Sequence, residues 1–264
     1  MTFRLAAQEW MLDGDTLEEK FAFARSVGFD GIELGAVGGG AFEARADELR
    51  AARDAGVVMP SAVVLPTVFL GDFDPDRRRR AIDELAGFLR TLDHAGAAGI
   101  VCPNSFGVFS TKLPPFEPPR PDDDSRALLV DALRQALEGS ADAEAIIYLE
   151  PLNRYEDYLI HTLADASSVV DELDDPRVRV IADTFHMSVE EVDLGQAIRD
   201  AGDRIAHVQL GDSNRLEPGA GHYDWDETLT ALESIGFDGW LAMECGLSGP
   251  PSEVLPRVSR LLKR

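Results

Sequence analysis

The sequence predicts an α/β fold, a closed (β/α)8 TIM barrel, from three observations. Its 264 residues suit a barrel of parallel strands, which commonly forms one domain of about 250 residues. Eight short apolar runs alternate with helical segments at a spacing of roughly 30 residues, as repeated strand–helix units require. The last four runs each lead into an oxygen-bearing side chain, at the strand ends where such barrels carry functional groups. An open doubly wound sheet is the alternative, but the eightfold count favours closure.

The first half of the chain contains four of the predicted strands. Thr16 followed by Glu19 is a capping-box pattern, which predicts the start of a helix. A glycine-rich stretch over 35–40 lacks the full spacing of a dinucleotide-binding loop, so we interpret it as a flexible rim of the barrel. The predicted strands cover 3–7, 31–34, 58–65 and 99–102, and the predicted helices cover 16–27, 41–55 and 76–95.

A proline-rich segment over 103–124 interrupts this rhythm. It contains six prolines together with Phe106, Phe109 and Phe116. A plain linker has no reason to carry three phenylalanines. The segment is therefore predicted to be a lid-like loop over the barrel or a contact in a homo-oligomer.

The second half of the chain is regular. Helices are predicted over 125–137, 163–173, 194–201, 225–235 and 254–262. The strands between them lie in the stretches IIYLEPLNRYE, VRVIADTFHM, AHVQLGDSNR and WLAMECG. Because there is no compositional boundary and no repeat, we expect one TIM-barrel domain over 1–264.

Composition narrows the function classes. Lys+Arg 25 against Asp+Glu 48 gives 25 − 48 = −23, a charge that argues against binding a nucleic acid. The N-terminus has no apolar signal core, and no run approaches the roughly 18 apolar residues of a membrane span. Two cysteines, Cys102 and Cys245, make no disulfide framework and fit a reducing cytoplasm. A cytoplasmic protein without nucleic-acid or membrane partners is expected.

Four polar side chains stand at the ends of the last four predicted strands, and they are the candidate site. Neighbouring strand ends meet at one mouth of a barrel, and carboxylates crowded there repel one another unless a cation lies between them. Hard oxygen ligands with one amide suit Mn²⁺ or Mg²⁺ better than zinc or copper. The alternative is that each acid caps a helix or pairs with an arginine. The four residues are Glu150, Asp183, Gln209 and Glu244.

The motifs LEPLNRYE, ADTFHM, HVQLGDSNR and GWLAMECG resemble those of the xylose isomerase-like barrel superfamily, in its ketose 3-epimerase and hydroxypyruvate isomerase branches. The resemblance is continuous over 146–246. It implies one divalent cation, Mn²⁺ with Mg²⁺ or Co²⁺ as alternatives, held by the four residues above. It also implies acid–base roles for Glu150 and Glu244. The residues it implies for binding the oxygens of a sugar substrate are Glu156, His186 and Arg215.

One position departs from the epimerase pattern. Epimerases generally carry histidine where this chain has Gln209, whereas hydroxypyruvate isomerases and some related dehydratases use glutamine. His207 lies two residues earlier on the same strand face, so alternation alone cannot choose between the two. Spacing to the turn at Gly211 and Asp212 favours Gln209 as the ligand and places His207 in a deeper layer of the barrel.

The resemblance implies an isomerase or epimerase of a small ketose or hydroxycarbonyl compound, acting by proton transfer through an enediolate held at the metal. A metal-dependent lyase of the same superfamily, such as a 3-dehydroshikimate dehydratase or a C-glycoside-cleaving subunit, is the alternative. A non-catalytic sugar-binding barrel is another, although the complete set of acids speaks against it. A DNA-repair endonuclease of this fold is disfavoured by the net charge of −23. The sugar stays open, because the first four loops that would select it carry the weakest motifs.

Overall fold

The computed structural model describes residues 3–263 of the chain. Eight parallel strands form a closed barrel in chain order, and the eighth strand pairs with the first. The closed barrel predicted from sequence is therefore confirmed. The strands are β1 Arg4–Gln8, β2 Gly31–Val37, β3 Ser61–Leu65, β4 Gly99–Pro103, β5 Ile146–Glu150, β6 Val178–Asp183, β7 Ile205–Leu210 and β8 Trp240–Met243.

The helices alternate with these strands around the barrel. Their α-helical bounds are α1 Leu17–Ser26, α2 Ala46–Asp54, α3 Pro75–Ala95, α4 Asp122–Gly139, α5 Leu163–Leu173, α6 Thr184–Glu190, α7 Leu194–Ala201, α8 Trp225–Ser234 and α9 Pro251–Leu262. Short 3₁₀ turns cover Glu9–Met11, Glu43–Arg45 and Gly202–Arg204. Among residues 3–263, no helix is long and apolar enough to cross a membrane.

Apolar strands covered on both faces hold the barrel together. Leu5, Ile100 and Leu149 are fully buried, as expected for parallel strands that have a filled interior on one side and helices on the other.

The start of α1 is set by hydrogen bonds between residues close in the sequence. Thr16 and Glu19 form the predicted capping box of α1, and this reciprocal pair of hydrogen bonds satisfies free N–H groups at the start of the helix.

Several element boundaries differ from the sequence-based expectation. The largest difference is at α2, which begins at Ala46 instead of 41. Strand β2 continues to Val37 instead of ending at 34, so Gly35 belongs to the strand and not to a flexible rim. Strand β3 begins at Ser61 instead of 58, because Pro60 lacks the N–H that a strand needs for pairing. Helix α6 was not predicted. Its N-cap is Asp183, whose side chain accepts a hydrogen bond from the His186 backbone N–H at 2.9 Å.

The proline-rich loop is shorter than predicted at both ends. Pro103 belongs to β4 and α4 begins at Asp122, leaving residues 104–121 without a helix or strand in the described chain. The buried Asp157 carboxylate anchors the loop, since it accepts hydrogen bonds from the Ser105 N–H at 3.1 Å and the Asn104 Nδ2 at 3.0 Å. Its action as a lid, or as an oligomer contact, stays a prediction.

Candidate active site

The predicted site residues lie together at the mouth where the strands end. Glu150 ends β5 and Asp183 ends β6, while Gln209 in β7 pairs in register with Asp183 and Glu244 directly follows β8. Ligand-capable atoms of Glu150, Asp183 and His186 lie within 4.8 Å of one another. A cavity of about 410 Å³ opens at this mouth, and its lining includes Glu150, His186, Arg215 and Glu244. The barrel thus brings together side chains that are up to 94 positions apart (244 − 150) in the sequence.

Burial, together with the crowding of acids, dominates the electrostatics of the mouth. Burial, with the nearby charges of Glu244 and Asp183, raises the pKa of Glu150 well above its ordinary value. Burial and the charges of Asp183 and Glu33 raise the pKa of Glu244 to about 8. Burial also raises the pKa of Asp183 to about 6, although hydrogen bonds from backbone N–H groups and the charge of Arg215 oppose this rise. Without a cation, Glu150 and Glu244 hold protons near neutral pH, whereas Asp183 is mostly ionised there.

Gln209 presents an amide oxygen that has no protein partner. Its Nε2 donates to Glu33 Oε2 at 2.8 Å, whereas the buried Oε1 has no hydrogen-bond partner among the described residues. An unsatisfied buried acceptor carries a desolvation penalty of about 1–3 kcal/mol. The amide orientation is fixed by the Glu33 carboxylate, which can only accept. The oxygen is therefore free for a cation or a ligand.

His186 is a neutral imidazole with a defined tautomer. Its Nδ1 accepts the Asn153 backbone N–H at 3.0 Å, so the ring proton of the neutral form is on Nε2. Burial, assisted by the charge of Arg215, lowers the pKa of His186 to about 3. Its Nε2 lies 3.8 Å from Glu150 Oε1 and 3.9 Å from Glu156 Oε2. That N–H has no hydrogen-bond partner in the described chain, which leaves it as a donor to a ligand in the cavity.

Arg215 lies at the mouth in a strained conformation. Its Nη1 donates to both Glu156 oxygens, at 3.1 and 3.2 Å, and its guanidinium stacks over the Phe185 ring at 4.6 Å. Its backbone is left-handed, with φ of 58°, which is uncommon for a residue other than glycine. The turn that holds it is built on Asp212, whose backbone makes hydrogen bonds with the backbone of Arg215 and Leu216. Such strain at a mouth residue is typical of a functional position.

His207 lies one layer deeper than Gln209. Its Nε2 is 2.9 Å from Glu33 Oε1, and its ring stacks on Tyr148 with centroids 5.0 Å apart. It pairs in register with Ile181, two residues before Asp183. The His207 Nε2 is therefore already bound to Glu33, one layer below the acids of the mouth. Gln209 lies level with Asp183.

The residues present fit a divalent cation. Three carboxylates and one amide oxygen without a partner form a hard-oxygen donor set, and a cation among them would relieve the repulsion that raises their pKa values. His186 fits this role less well, because its Nε2 carries the ring proton and a metal-ligating nitrogen must be unprotonated. The group of potential ligands that lie within 4.8 Å of one another is Glu150, Asp183 and His186, and the set Glu150, Asp183, Gln209 and Glu244 stays a prediction.

Three residues around the site were not singled out from sequence. Glu33 in β2 is fully buried and accepts from Gln209, His207 and Ser61. Burial alone would raise the pKa of Glu33, but the hydrogen bond and charge of His207, with the bonds from Gln209 and Ser61, lower it. Gln8 Nε2 lies 3.3 Å from Glu33 and 3.2 Å from Glu244. Asn153, the third, sets the His186 tautomer. Of these three residues, only Glu33 could have been found from the sequence, because it is a lone charged residue inside an apolar strand.

Comparison with known proteins agrees with this geometry. Residues 21–264 match the family described as xylose isomerase-like TIM barrel. The chain is 33% identical over 242 residues to 3-dehydro-D-guloside 4-epimerase of Escherichia coli (strain K12), covering 91% of both chains. It is 30% identical over 240 residues to D-psicose 3-epimerase of Agrobacterium fabrum (strain C58), covering 89% of this chain and 80% of the relative.

Among solved structures, the apo form of 3-keto-D-glucoside 4-epimerase from E. coli superimposes with a TM-score of 0.91. It shares 30% sequence identity, and the match covers 98% of each chain. The full-length relatives are sugar epimerases, so the class predicted from sequence, an isomerase or epimerase, is confirmed. The chain belongs to the xylose isomerase-like TIM barrel family.

Proposed function

We propose that this protein is a divalent-metal-dependent epimerase that inverts a carbon next to the ketone of a keto sugar. The observation that carries the proposal is geometric: Glu150 and Glu244 both line one cavity at the mouth of the barrel. Inversion of a carbon by proton transfer needs two acid–base groups that reach the same substrate. The full-length likeness to a sugar 4-epimerase, found among both the curated relatives and the solved structures, supports the same reaction class.

The cation is proposed to be Mn²⁺, held by Glu150, Asp183, Gln209 and Glu244. Hard oxygen ligands favour Mn²⁺ or Mg²⁺, and an amide among them favours the less strictly hydrated Mn²⁺. When bound, a divalent cation polarises a carbonyl and stabilises the negative charge that develops on its oxygen.

The two glutamates would move the proton. One carboxylate removes the hydrogen from the carbon next to the ketone, and the bonding electron pair passes to the carbonyl oxygen. The other glutamate, which starts as the acid, delivers its proton to the opposite face of the same carbon as the carbonyl re-forms. Their mutual repulsion supports this division, because one of two crowded acids keeps its proton while the other is ionised.

Three polar residues would orient the sugar. The His186 Nε2–H is proposed to donate to a substrate oxygen, since its fixed tautomer and low pKa exclude a role as base. Arg215 would bind a second oxygen from its position above Phe185. Glu156, which already accepts from Arg215, would accept from a substrate hydroxyl.

Epimerisation can be tested directly by nuclear magnetic resonance. The Mn²⁺-loaded protein should convert methyl 3-keto-β-D-glucoside into its C4 epimer, with deuterium from D₂O appearing at C4. D-Fructose should be tested beside it, because a ketose 3-epimerase would yield psicose instead. An eliminated fragment in place of an epimer would show a lyase, and the absence of both deuterium and product with every keto sugar would contradict the proposal.

Glu33 offers a test of how the amide ligand is oriented. In Glu33→Gln the new side chain can present an N–H to Gln209, whose amide would then rotate and lose its outward oxygen. Mn²⁺ affinity should fall by about 10–100-fold, the usual effect of removing a residue that orients a metal ligand. Isothermal titration calorimetry with Mn²⁺ alone measures this.

Ser61→Ala is the matched control for Glu33→Gln. It removes one donor to Glu33 but keeps the bond to Gln209, so the affinity should fall much less. Equal Mn²⁺ affinities in Glu33→Gln and Ser61→Ala would show that Glu33 does not orient Gln209.

We also propose a cytoplasmic location. Cys102 and Cys245 are free and buried, as is common in proteins of a reducing compartment. Assembly into a homo-oligomer stays a prediction.

A further inference from the structure

The cavity at the mouth has two chemically different walls. One wall comes from the second half of the barrel and carries the polar groups Glu150, His186, Arg215 and Glu244. The other comes from β3, β4 and the loops that follow them, and its side chains are apolar: Val64, Leu65, Pro66, Phe69, Pro103 and Phe106. A single ligand that fills the cavity would therefore touch both walls.

The apolar wall is exposed but held in place. Leu65 and Phe106 are each 51% exposed, and exposure of a large apolar side chain to water is unfavourable. Phe106 lies between two anchored neighbours. The Ser105 N–H donates to Asp157 at 3.1 Å, and the Gly107 N–H donates to the Glu156 carbonyl at 2.9 Å. The backbone thus keeps this ring at the rim, next to the loop that carries Glu156.

The shape and chemistry of the cavity favour a ligand with an apolar part. Its volume of about 410 Å³ falls within the range of roughly 300–1,000 Å³ that encloses drug-sized ligands. Arg215 is the only cation among the described residues that line it, and Arg215 is already bound to Glu156. The apolar wall offers no cation for a phosphate or carboxylate and no side-chain hydrogen bonds for the hydroxyls of a second sugar.

We propose that this wall is an aglycone subsite, and that the substrate is a keto glycoside with an uncharged aromatic aglycone. The inference rests on the proposed function, since the keto sugar ring would occupy the polar wall. The aglycone would pack against Leu65 and Phe106. An aromatic aglycone suits a wall that includes the exposed Phe106 ring, because aromatic pairs gain from stacked or edge-to-face contact in addition to burial.

The test compares three 3-keto-β-D-glucosides that differ only in the aglycone: methyl, phenyl and glucosyl. With the Mn²⁺-loaded protein, the phenyl compound should have a kcat/KM about tenfold or more above that of the methyl compound, expressed mainly as a lower KM. The glucosyl compound should have about the same kcat/KM as the methyl compound.

The variant Phe106→Ala tests the wall itself. In this variant the ratio of kcat/KM for the phenyl compound to that for the methyl compound should fall towards one. Leu113→Ala is the matched control. Leu113 is also an exposed apolar residue of the same loop, but it is not among the cavity-lining residues, so the ratio should persist.

Each outcome decides the proposal. Equal kcat/KM for phenyl and methyl compounds, a preference for the glucosyl compound, or a phenyl preference that survives Phe106→Ala would overturn it. Phe106 could instead form a contact between copies of the chain. In that case the wild-type protein would have equal kcat/KM for the phenyl and methyl compounds, and Phe106→Ala would change the mass measured by light scattering.

Calorimetry with phenyl β-D-glucoside tests the aglycone subsite separately from the proposed epimerisation, because this compound lacks the ketone and cannot react. If it binds the wild type more tightly than methyl β-D-glucoside and loses that advantage in Phe106→Ala, the aglycone subsite stands. This result would support the subsite even if no keto glycoside is epimerised, that is, even if the proposed reaction is wrong. Equal binding of the two glucosides would overturn the subsite.

Discussion

Replacing either glutamate of the mouth by glutamine should reduce turnover by about 10²–10⁴-fold, the size usual for a general acid or base. Glutamine keeps the length of the side chain and one oxygen that a cation can use, but it cannot accept or release a proton at neutral pH. Glu150→Gln and Glu244→Gln should therefore lose catalysis more than they lose metal. Turnover, and Mn²⁺ content by elemental analysis, are measured on the same samples.

Hydrogen exchange with D₂O distinguishes the two glutamates. If they act on opposite faces of the carbon, each single variant should still exchange the hydrogen of the one epimer that faces the remaining glutamate. It should convert neither epimer into the other. The double variant should exchange neither. This pattern assigns a face of the substrate to each residue.

Glu217→Gln is the matched control for the glutamate variants. Glu217 is a buried glutamate in the loop after β7, but its carboxylate accepts from Ser248 and has a lowered pKa, with hydrogen bonds outweighing burial. Neutralising it tests the general effect of removing a buried charge, and most turnover should remain. Wild-type exchange in both Glu150→Gln and Glu244→Gln, with Mn²⁺ bound, would mean that another group is the base.

The barrel could be predicted from the sequence because its signals are local and repeated. Apolar runs and capping boxes depend on neighbouring residues, and α5 and α7 were predicted with the bounds that the structure has. Helix α6 was missed because only seven residues form it and its cap is Asp183, a residue already interpreted as a strand-end ligand. Under the proposed metal assignment the same side chain would serve both purposes, because a carboxylate that caps a helix through one oxygen has a second oxygen.

The placement of the site residues followed from strand order, whereas their supporting contacts did not. Once neighbouring strand ends meet at one mouth, Glu150, Asp183, Gln209 and Glu244 must converge. The hydrogen bond that Gln209 donates to Glu33 joins residues 176 positions apart, and the Asn153 N–H that sets the His186 tautomer comes from 33 positions away. Such contacts depend on side-chain geometry across the barrel, for which a single sequence carries no periodic signal.

Removing the cation should abolish activity and make the stability of the protein depend on pH in a specific direction. In the metal-free protein the pKa of Glu244 is raised from 4.5 to about 8 and that of Asp183 from 3.8 to about 6. Between about pH 4 and pH 8 the folded state therefore binds more protons than the unfolded state. The stability that these groups contribute is complete below about pH 4 and is lost as the pH rises through 6 and 8.

Added Mn²⁺ should reverse this trend. The cation binds ionised carboxylates more tightly than protonated ones, so its binding is favoured by higher pH, and a ligand that binds only the folded state stabilises it. The rise in melting temperature on adding Mn²⁺ to chelated protein should therefore be larger at pH 8 than at pH 5.5. Differential scanning calorimetry at both pH values measures it, with activity assayed on the same samples.

Two aspartate variants make the metal prediction specific to the mouth. Asp183→Asn should lose most of the Mn²⁺-dependent rise in melting temperature, because it removes a ligand and one of the crowded charges. Asp171→Asn removes a charge from the exposed face of α5, where Asp171 pairs with Arg204, and should retain the full rise. The net charge of −23 destabilises the chelated and loaded forms alike as the pH rises, so the difference between them isolates the site. A difference that is equal at pH 5.5 and pH 8, or unchanged activity in protein shown by elemental analysis to be free of metal, would refute the assignment of these residues to a cation.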